Sequence, residues 1–198
     1  MSEAEYSTKR TPWNKAKLTG QKPPLKPKEV WSIRVRLQIA GKTFELALFN
    51  LAIDSKLRGC DLVQLKVGDV AIGTNIKERA VIVQQKTGRA VPFELTEPTR
   101  AALHAWIVQR GLHTGDFLFP SRYTGVPHLS TRQYARIVDR WVKSIGLNPS
   151  GYGTHSLRRT KVAQIYRKTG NLRAVQLLLG HAKIDYVGFR TMLSWLQK

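Results

Sequence analysis

Features that mark secreted and membrane proteins are nearly absent from this 198-residue sequence. Cys60 is the only cysteine, so no disulfide can form within the chain, and a reducing compartment is expected. No apolar run approaches the roughly 18 residues that a membrane-spanning helix needs. The first ten residues, MSEAEYSTKR, lack the apolar core of a secretory signal. The sequence therefore predicts a soluble, cytoplasmic protein.

Acidic residues are also scarce. The chain has 13 Asp and Glu against 33 Lys and Arg, which gives a net charge of +20 and a pI near 10.6. A chain this basic is expected to bind a polyanion, and nucleic acid is the commonest one. An anionic membrane surface is the rival partner, but it would require a basic amphipathic helix or a lipidation signal, and the sequence contains neither.

The N-terminal segment, residues 1–27, is predicted to be a flexible basic arm. The first 28 residues contain seven Lys or Arg and two Glu, and four prolines interrupt them. Such a segment buries too little apolar surface to offset the entropy that ordering it would cost. The arm is either a solvated tail without a role or, on a domain that is already basic, a further contact with DNA.

Apolar spacing, caps and stops predict a mainly helical domain over residues 28–198 with one small antiparallel sheet, an α+β fold. The predicted helices cover 28–41, roughly 43–55, a short stretch within 57–70, 97–110, 131–145, a segment from Thr154, 172–179, and the final segment around 189–196. The predicted strands are 80–85 and 89–95, joined by a turn in which Gly88 is well suited to a reversal. Thr96, Ser130 and Thr154 are expected to cap their helices.

The stretch GTHSLRRT contains the first candidate site. His155 and Arg158 stand three residues apart and therefore project from one face of the predicted helix. They lie in its first turn, where free backbone N–H groups and the helix dipole favour an anion. The pair is a plausible phosphate site, and a solvated basic helix with a hydrogen-bonded histidine is the alternative.

Three further positions could contribute to such a site. Arg58 directly follows a predicted buried helix, and Asp61 stands three residues later, where it could orient the arginine. Lys86 occupies the tip of the predicted hairpin, and His181 follows the apolar stretch LLLG. Taken singly, each is better explained without a site: Arg58 as a surface arginine, Lys86 as a turn lysine and His181 as a histidine that caps the C-terminus of a helix.

Taken together and in this order, these stretches resemble the catalytic domain of the tyrosine recombinase (phage integrase) family. The family's boxes stand here as LRGCDLVQL with Arg58, QQKTGR with Lys86, HSLRRT with His155 and Arg158, and LLGH with His181. The resemblance covers roughly residues 28–188. Because four separate boxes agree in order and spacing, it implies the family's mainly helical fold and double-stranded DNA as the partner.

The resemblance also implies roles for these residues. A tyrosine oxygen attacks a DNA phosphodiester and leaves a 3′-phosphotyrosine bond and a free 5′-hydroxyl, without a metal or nucleotide cofactor. Arg58 and Arg158 would clamp the non-bridging oxygens, and both are therefore expected to be exposed. Lys86 would protonate the leaving oxygen, and His155 would assist proton transfer at the tyrosine. His181 would hydrogen-bond a phosphate oxygen.

The expected nucleophile is displaced in this sequence. In the family it typically stands about nine residues after the second histidine, and the ninth residue after His181 is Arg190. Phe189, at the eighth, has no hydroxyl. Tyr186 has one but stands only five residues after the histidine, so it is the candidate nucleophile at an unusual position.

Two functional hypotheses follow. The chain is either a minimal recombinase that cleaves and rejoins DNA or a non-catalytic DNA-binding protein derived from one; binding of RNA is a more distant alternative. The resemblance further implies a prokaryotic, DNA-associated protein that can form a homo-oligomer on DNA. The sequence contains no segment suited to a separate N-terminal DNA-binding domain, and its C-terminal end is expected to be atypical or truncated.

Overall fold

The computed structural model describes residues 22–171 of the chain. In chain order its elements are α1 (Pro27–Ile39), α2 (Thr43–Ser55), α3 (Gly59–Val63), α4 (Val67–Val70), β1 (Ala71–Ile72), β2 (Asn75–Ile76), β3 (Arg79–Val83), β4 (Ala90–Glu94), α5 (Glu97–Arg110), α6 (Thr131–Ser144), a 3-10 turn (Pro149–Gly151) and α7 (Thr154–Thr169). The predicted mainly helical architecture with a small antiparallel part is confirmed. The helices predicted at 172–179 and 189–196 lie outside the described residues.

Helix α2 is the centre of the fold. Every residue from Ala47 to Ser55 is buried, as expected of a helix that is apolar nearly all round. It packs against α1, α5 and α7. The ring of Phe49 meets that of Trp141 from α6 edge-on, with centroids 5.2 Å apart. The orientation of the outer helices therefore depends on their contacts with α2.

The β structure differs from the single predicted sheet. Strands β3 and β4 form the predicted hairpin, with Arg79 opposite Glu94 and Val83 opposite Ala90. A second, shorter hairpin pairs β1 with β2, and it forms a separate two-stranded sheet. Sequence patterning missed it because two-residue strands are too short for an alternating pattern.

The stretch predicted to contain one short helix forms two, α3 and α4. Tertiary hydrogen bonds separate them: Leu118 N–H donates to the Leu65 carbonyl (2.7 Å), and Val67 N–H donates to that of Asp116 (3.0 Å). The Asp69 carboxylate then accepts the Lys66 N–H at 2.8 Å and begins α4. Propensity alone does not reveal this interruption, because the partner residues lie about 50 positions later.

Of the three predicted caps, only Ser130 caps as expected. Its hydroxyl accepts the Gln133 N–H (3.1 Å), and the Gln133 side chain accepts the Ser130 N–H (2.9 Å). Thr96 occupies the cap position of α5, but its hydroxyl bonds the Asp54 carboxylate instead. Thr154 is the first helical residue of α7, because Gly153 takes the cap position and donates its N–H to Ser156.

The folded region begins before Lys28. Residues 22–26 are extended, and Leu25 is only 3% exposed. The Leu25 N–H donates to Thr160 Oγ1 on α7 at 3.0 Å. We refer to residues 22–26 as the N-terminal strap, because they lie across α7. Among residues 22–171, no helix is long and apolar enough to cross a membrane.

Replacing Ser130 by Ala tests the capping of α6. The change removes the acceptor for the Gln133 N–H, so we expect a loss of about 1 kcal/mol in the free energy of unfolding, measured by urea denaturation. Thr131→Ala, at the next and exposed position, is the matched control and should change stability by less than about 0.5 kcal/mol. Equal losses in the two variants would contradict a specific cap.

Candidate phosphodiester-binding site

Arg58 lies in the connection between the central helix and α3. Helix α2 ends because Lys56 adopts the left-handed conformation, with φ 57°, which a non-glycine residue rarely takes. This turn redirects the chain, so that Arg58 immediately precedes α3 and its carbonyl accepts the Leu62 N–H at 2.9 Å. The position of Arg58 is thus determined by the end of α2.

Gln84 orients the Arg58 side chain. The guanidinium of Arg58 donates to Oε1 of Gln84, and Thr87 Oγ1 bonds the same oxygen at 3.2 Å. Gln84 is only 1% exposed and follows β3 directly, where the turn of the hairpin begins. The same turn contains Lys86, so one buried amide connects Arg58 to the hairpin that presents the lysine. Sequence analysis missed this residue, although a polar side chain next to the apolar strand was a visible signal.

Asp61 contacts the hairpin at the next residue. Its Oδ1 accepts the backbone N–H of Gln85 at 3.0 Å, and its charge raises the pKa of Arg158. Its other oxygen, Oδ2, is buried and has no hydrogen-bond partner among residues 22–171. Gln84 therefore accepts the side-chain hydrogen bond of Arg58, whereas Asp61 accepts from the hairpin backbone and raises the pKa of Arg158.

His155 and Arg158 lie in the first turns of α7. His155 is exposed, but Arg158 is only 8% exposed, so the expectation of two exposed arginines is wrong for Arg158. The reason is that α7 is buried nearly all round at this point, since Ser156, Leu157 and Thr160 are each at most 1% exposed. The Arg158 guanidinium is held within the protein rather than extended into solvent.

The charges of the site act on one another. Burial first, and then the nearby charge of Arg58, lower the pKa of Arg158 to about 10, so it remains protonated at neutral pH. Partial burial of the ring first, and then the charges of Arg159, Arg158, Lys22 and Arg58, lower the pKa of His155. Five positively charged or titratable groups thus converge on one end of α7, where a phosphate would relieve their mutual repulsion.

Lys86 belongs to the same region through its hairpin. It is exposed in the turn and makes no ion pair within the described part of the chain. The described structure thus brings Arg58, His155 and Arg158 together and presents Lys86 on the connected hairpin. His181 and Tyr186 lie outside the described residues.

The N-terminal strap adds a cation that sequence analysis did not assign to the site. Lys22 Nζ donates to the Tyr152 carbonyl, and Arg159 donates to the Lys22 carbonyl at 2.7 Å. The Lys22 side chain passes over Gly153, where an added Cβ would stand 3.3 Å from it. The only signal in the sequence was a lysine within a basic, proline-rich segment. Basic residues of the strap therefore border the phosphate site.

Comparison with known proteins points to one family. The phage integrase family matches residues 25–190. Tyrosine recombinase XerC of Erythrobacter litoralis is 31% identical over 140 residues, which are 71% of this chain and 43% of the relative. Tyrosine recombinase XerC of Haemophilus influenzae is 30% identical over 154 residues, 75% of this chain and 49% of the relative. The chain spans about half the length of these relatives.

Solved structures have the same fold. The XerA recombinase covers 91% of this chain with a TM-score of 0.68 and 19% identity, and this chain covers 66% of it. The XerH site-specific recombinase, in a post-cleavage complex with its palindromic difH substrate, covers 89% with a TM-score of 0.69 and 22% identity, and half of its own length is matched. On its sequence and its fold, the chain belongs to the phage integrase family of tyrosine recombinases.

Proposed function

We propose that this domain binds double-stranded DNA and holds one phosphodiester between Arg58 and Arg158, in the geometry that strand breakage and rejoining would require. The observation that carries the proposal is the convergence of Arg58, His155 and Arg158, whose charges interact at one end of α7. Two guanidinium groups can each donate paired hydrogen bonds to non-bridging phosphate oxygens. The net charge of +20 supports DNA as the partner.

For a tyrosine that reaches the bound phosphodiester, the proposed chemistry is a transfer of the phosphoryl group to its phenol oxygen. The phenol oxygen forms a bond to phosphorus, the bond to the 5′ oxygen breaks, and a 3′-phosphotyrosine results. Arg58 and Arg158 stabilise the charge on the non-bridging oxygens. Lys86 supplies the proton to the departing 5′ oxygen, and His155 accepts a proton from the attacking phenol. Within this proposal Asp61 keeps Arg158 charged, and the protein works on DNA in the cytoplasm of a bacterium.

The lowered pKa of His155 suits this role. At neutral pH the imidazole is uncharged, so it can accept a proton, which an imidazolium cannot do. Partial burial and the surrounding cations together favour the uncharged ring in the free protein. A bound phosphate would partly neutralise them and raise the pKa, so that the histidine gains basicity when the substrate is present.

A second candidate function is DNA binding without strand breakage. It is favoured by the spacing after His181, where Tyr186 stands four residues earlier in the sequence than the family's nucleophile and Arg190 occupies the usual place. A displaced phenol cannot reach a phosphorus held by the two arginines, because attack needs an approach of about 3–3.5 Å. We therefore expect Tyr186 to lie away from the arginines and the chain to bind DNA without forming a covalent bond.

His155 titration provides a first test. We expect its pKa, followed by the NMR signal of the imidazole Cε1–H, to lie below the ordinary value of 6.5 and to rise when inorganic phosphate is added. Because the folded state binds this proton less tightly than the unfolded chain, stability should decline as the pH falls below about 6.5. His155→Gln, which cannot titrate, should reduce that decline. A pKa at or above 6.5 would contradict the proposed electrostatics.

Salt dependence tests DNA as the partner. If the domain neutralises about six phosphates, a plot of log affinity against log salt concentration should have a slope of about −5. Arg58→Ala should make the slope shallower by about 1 unit. Arg79→Ala is the control, because Arg79 is an exposed arginine paired with Glu94 at 2.8 Å. A slope near zero would exclude nucleic acid as the partner.

Covalent trapping separates the two candidate functions. The protein is incubated with a library of nicked duplexes of random sequence, from which a cleaved strand cannot be rejoined, and adducts are sought on a denaturing gel. We expect no adduct with the natural sequence. Arg190→Tyr places a phenol at the family's usual spacing, so this variant tests whether a tyrosine at that position allows an adduct to form. An adduct with the natural chain that Tyr186→Phe abolishes would establish the recombinase reading and reject the non-catalytic one.

A further inference from the structure

The buried carboxylate of Asp54 lies outside the candidate phosphate site and accepts four hydrogen bonds from residues beyond α2. Asp54 is 3% exposed and lies one residue before the end of α2. Its Oδ2 accepts the Thr96 N–H (2.9 Å), the Thr96 hydroxyl (2.6 Å) and the Thr99 hydroxyl (2.6 Å). Its Oδ1 accepts from Lys161 Nζ at 3.1 Å. We refer to Asp54, Thr96, Thr99 and Lys161 as the Asp54 cluster.

The Asp54 cluster joins three elements that are distant in sequence. Thr96 is the exit of the β3–β4 hairpin, Thr99 lies in the first turn of α5, and Lys161 lies on α7. Thr99 is fully buried, and the Lys161 side chain is 27% exposed. The Thr96 hydroxyl bonds Asp54 and does not accept a backbone N–H of α5, so Thr96 makes a tertiary contact in place of a helix cap.

The cluster also contains the counter-charge of a buried lysine. Lys56, 5% exposed, has a pKa lowered by burial and by the charge of Lys161, whereas the charges of Asp54 and Glu94 raise it. Burial would raise the pKa of Asp54, but the hydrogen bonds from Thr96 and Thr99 and the charge of Lys161 outweigh it and lower the pKa. One carboxylate thus balances two ammonium groups where the chain turns from α2 towards Arg58.

Three elements that the Asp54 cluster joins, α2, α7 and the β3–β4 hairpin, each contain or directly precede a residue of the proposed phosphate site. Arg58 stands four residues after Asp54, beyond the left-handed Lys56. Arg158 stands three residues before Lys161, less than one turn away on the same helix. The hairpin that ends at Thr96 contains Gln84, which orients Arg58, and Lys86. The two arginines and the lysine are therefore all anchored, through short pieces of backbone, to one carboxylate.

We propose that Asp54 is a positioning residue, whose bonds to Thr96, Thr99 and Lys161 fix the distance between Arg58 and Arg158. This inference rests on the proposed phosphate-binding function. Hydrogen bonds to a carboxylate are directional, so they determine the sliding and rotation of α7 and the hairpin against α2, which apolar packing determines less strictly. These hydrogen bonds act against the repulsion between the two arginines, which would move the arginines apart if α7 were free to move.

The test measures anion binding at the two arginines rather than strand breakage. Inorganic sulfate is titrated into the isotopically labelled chain, and the Nε–Hε NMR signals of Arg58 and Arg158, assigned with Arg58→Lys and Arg158→Lys, report the affinity. In the natural sequence both signals should move with one shared dissociation constant. Affinity for bulk duplex DNA is measured in parallel and should be unchanged within about twofold, because it depends on many phosphate contacts.

Four variants probe the cluster. Lys161→Met and Asp54→Asn should weaken sulfate binding by at least about fivefold, because a misplacement of 1 Å can cost about 100-fold where geometry is demanding. Thr99→Val, which removes one hydroxyl and keeps the shape, should have a smaller effect in the same direction. Lys161→Arg retains a cation that can reach Asp54 and should restore most of the affinity.

Ile33→Ala is the matched control. Ile33 is 1% exposed in α1, away from the cluster, so its truncation lowers stability, measured by urea denaturation, without touching Asp54. Sulfate binding that is weakened in the cluster variants, restored by Lys161→Arg and retained in Ile33→Ala supports a positioning role. If Asp54→Asn does not fold, Thr99→Val and Lys161→Met decide the question.

Three outcomes would overturn the inference, and they distinguish its failure from a failure of the proposed function. If the natural chain shows a shared response of Arg58 and Arg158 but the cluster variants bind sulfate as it does, Asp54 contributes only stability and the proposed function stands. The same conclusion follows if Ile33→Ala weakens binding equally at an equal loss of stability. If the two arginines of the natural chain do not respond together, the proposed function itself fails.

Discussion

The repulsion between Arg58 and Arg158 is the constraint on which the rest of the domain depends. The charge of Arg58 lowers the pKa of Arg158, so the two guanidinium groups lie close together in a protein that already has a net charge of +20. Such a pair separates unless its supports are rigid, and Arg158 has lost much of its hydration by burial. Under the proposed function, an anion bound between the two groups would relieve this repulsion.

Three buried polar side chains counter the repulsion between Arg58 and Arg158, each through a different contact. Gln84 holds the Arg58 guanidinium, Asp61 adds negative charge near Arg158 and bonds the hairpin backbone, and Asp54 connects the supporting elements. Each is at most 4% exposed. Buried polar groups are poor evidence of stability, because removing them from water has a large cost. Their concentration around the arginines is better explained as a requirement for geometry than as a contribution to stability.

Much of the fold was predictable from the sequence, and the failures share one physical origin. The bounds of α2 and the existence of the long hairpin followed from periodicity, and the cap at Ser130 followed from its sequence signature, because these features depend on neighbouring residues. The interruption between α3 and α4 and the behaviour of Thr96 depend on partners far along the chain. Family boxes identified Arg58, His155 and Arg158, but no pattern identified Gln84 or Asp54, whose roles exist only after the elements have packed.

The N-terminal strap has a consequence for the order of events during folding. Its contacts join Lys22 to Arg159 and Leu25 to Thr160, residues more than 130 positions apart in the chain. Contacts of such long separation form late, because the loop that they close must first lose its entropy. On the ribosome, the first residues of the domain to be synthesised cannot dock until α7, the last described helix, has left the exit tunnel. The surroundings of His155 are therefore completed only after α7 has emerged, and a chain interrupted before α7 leaves the basic strap and its apolar Leu25 without their partners on that helix.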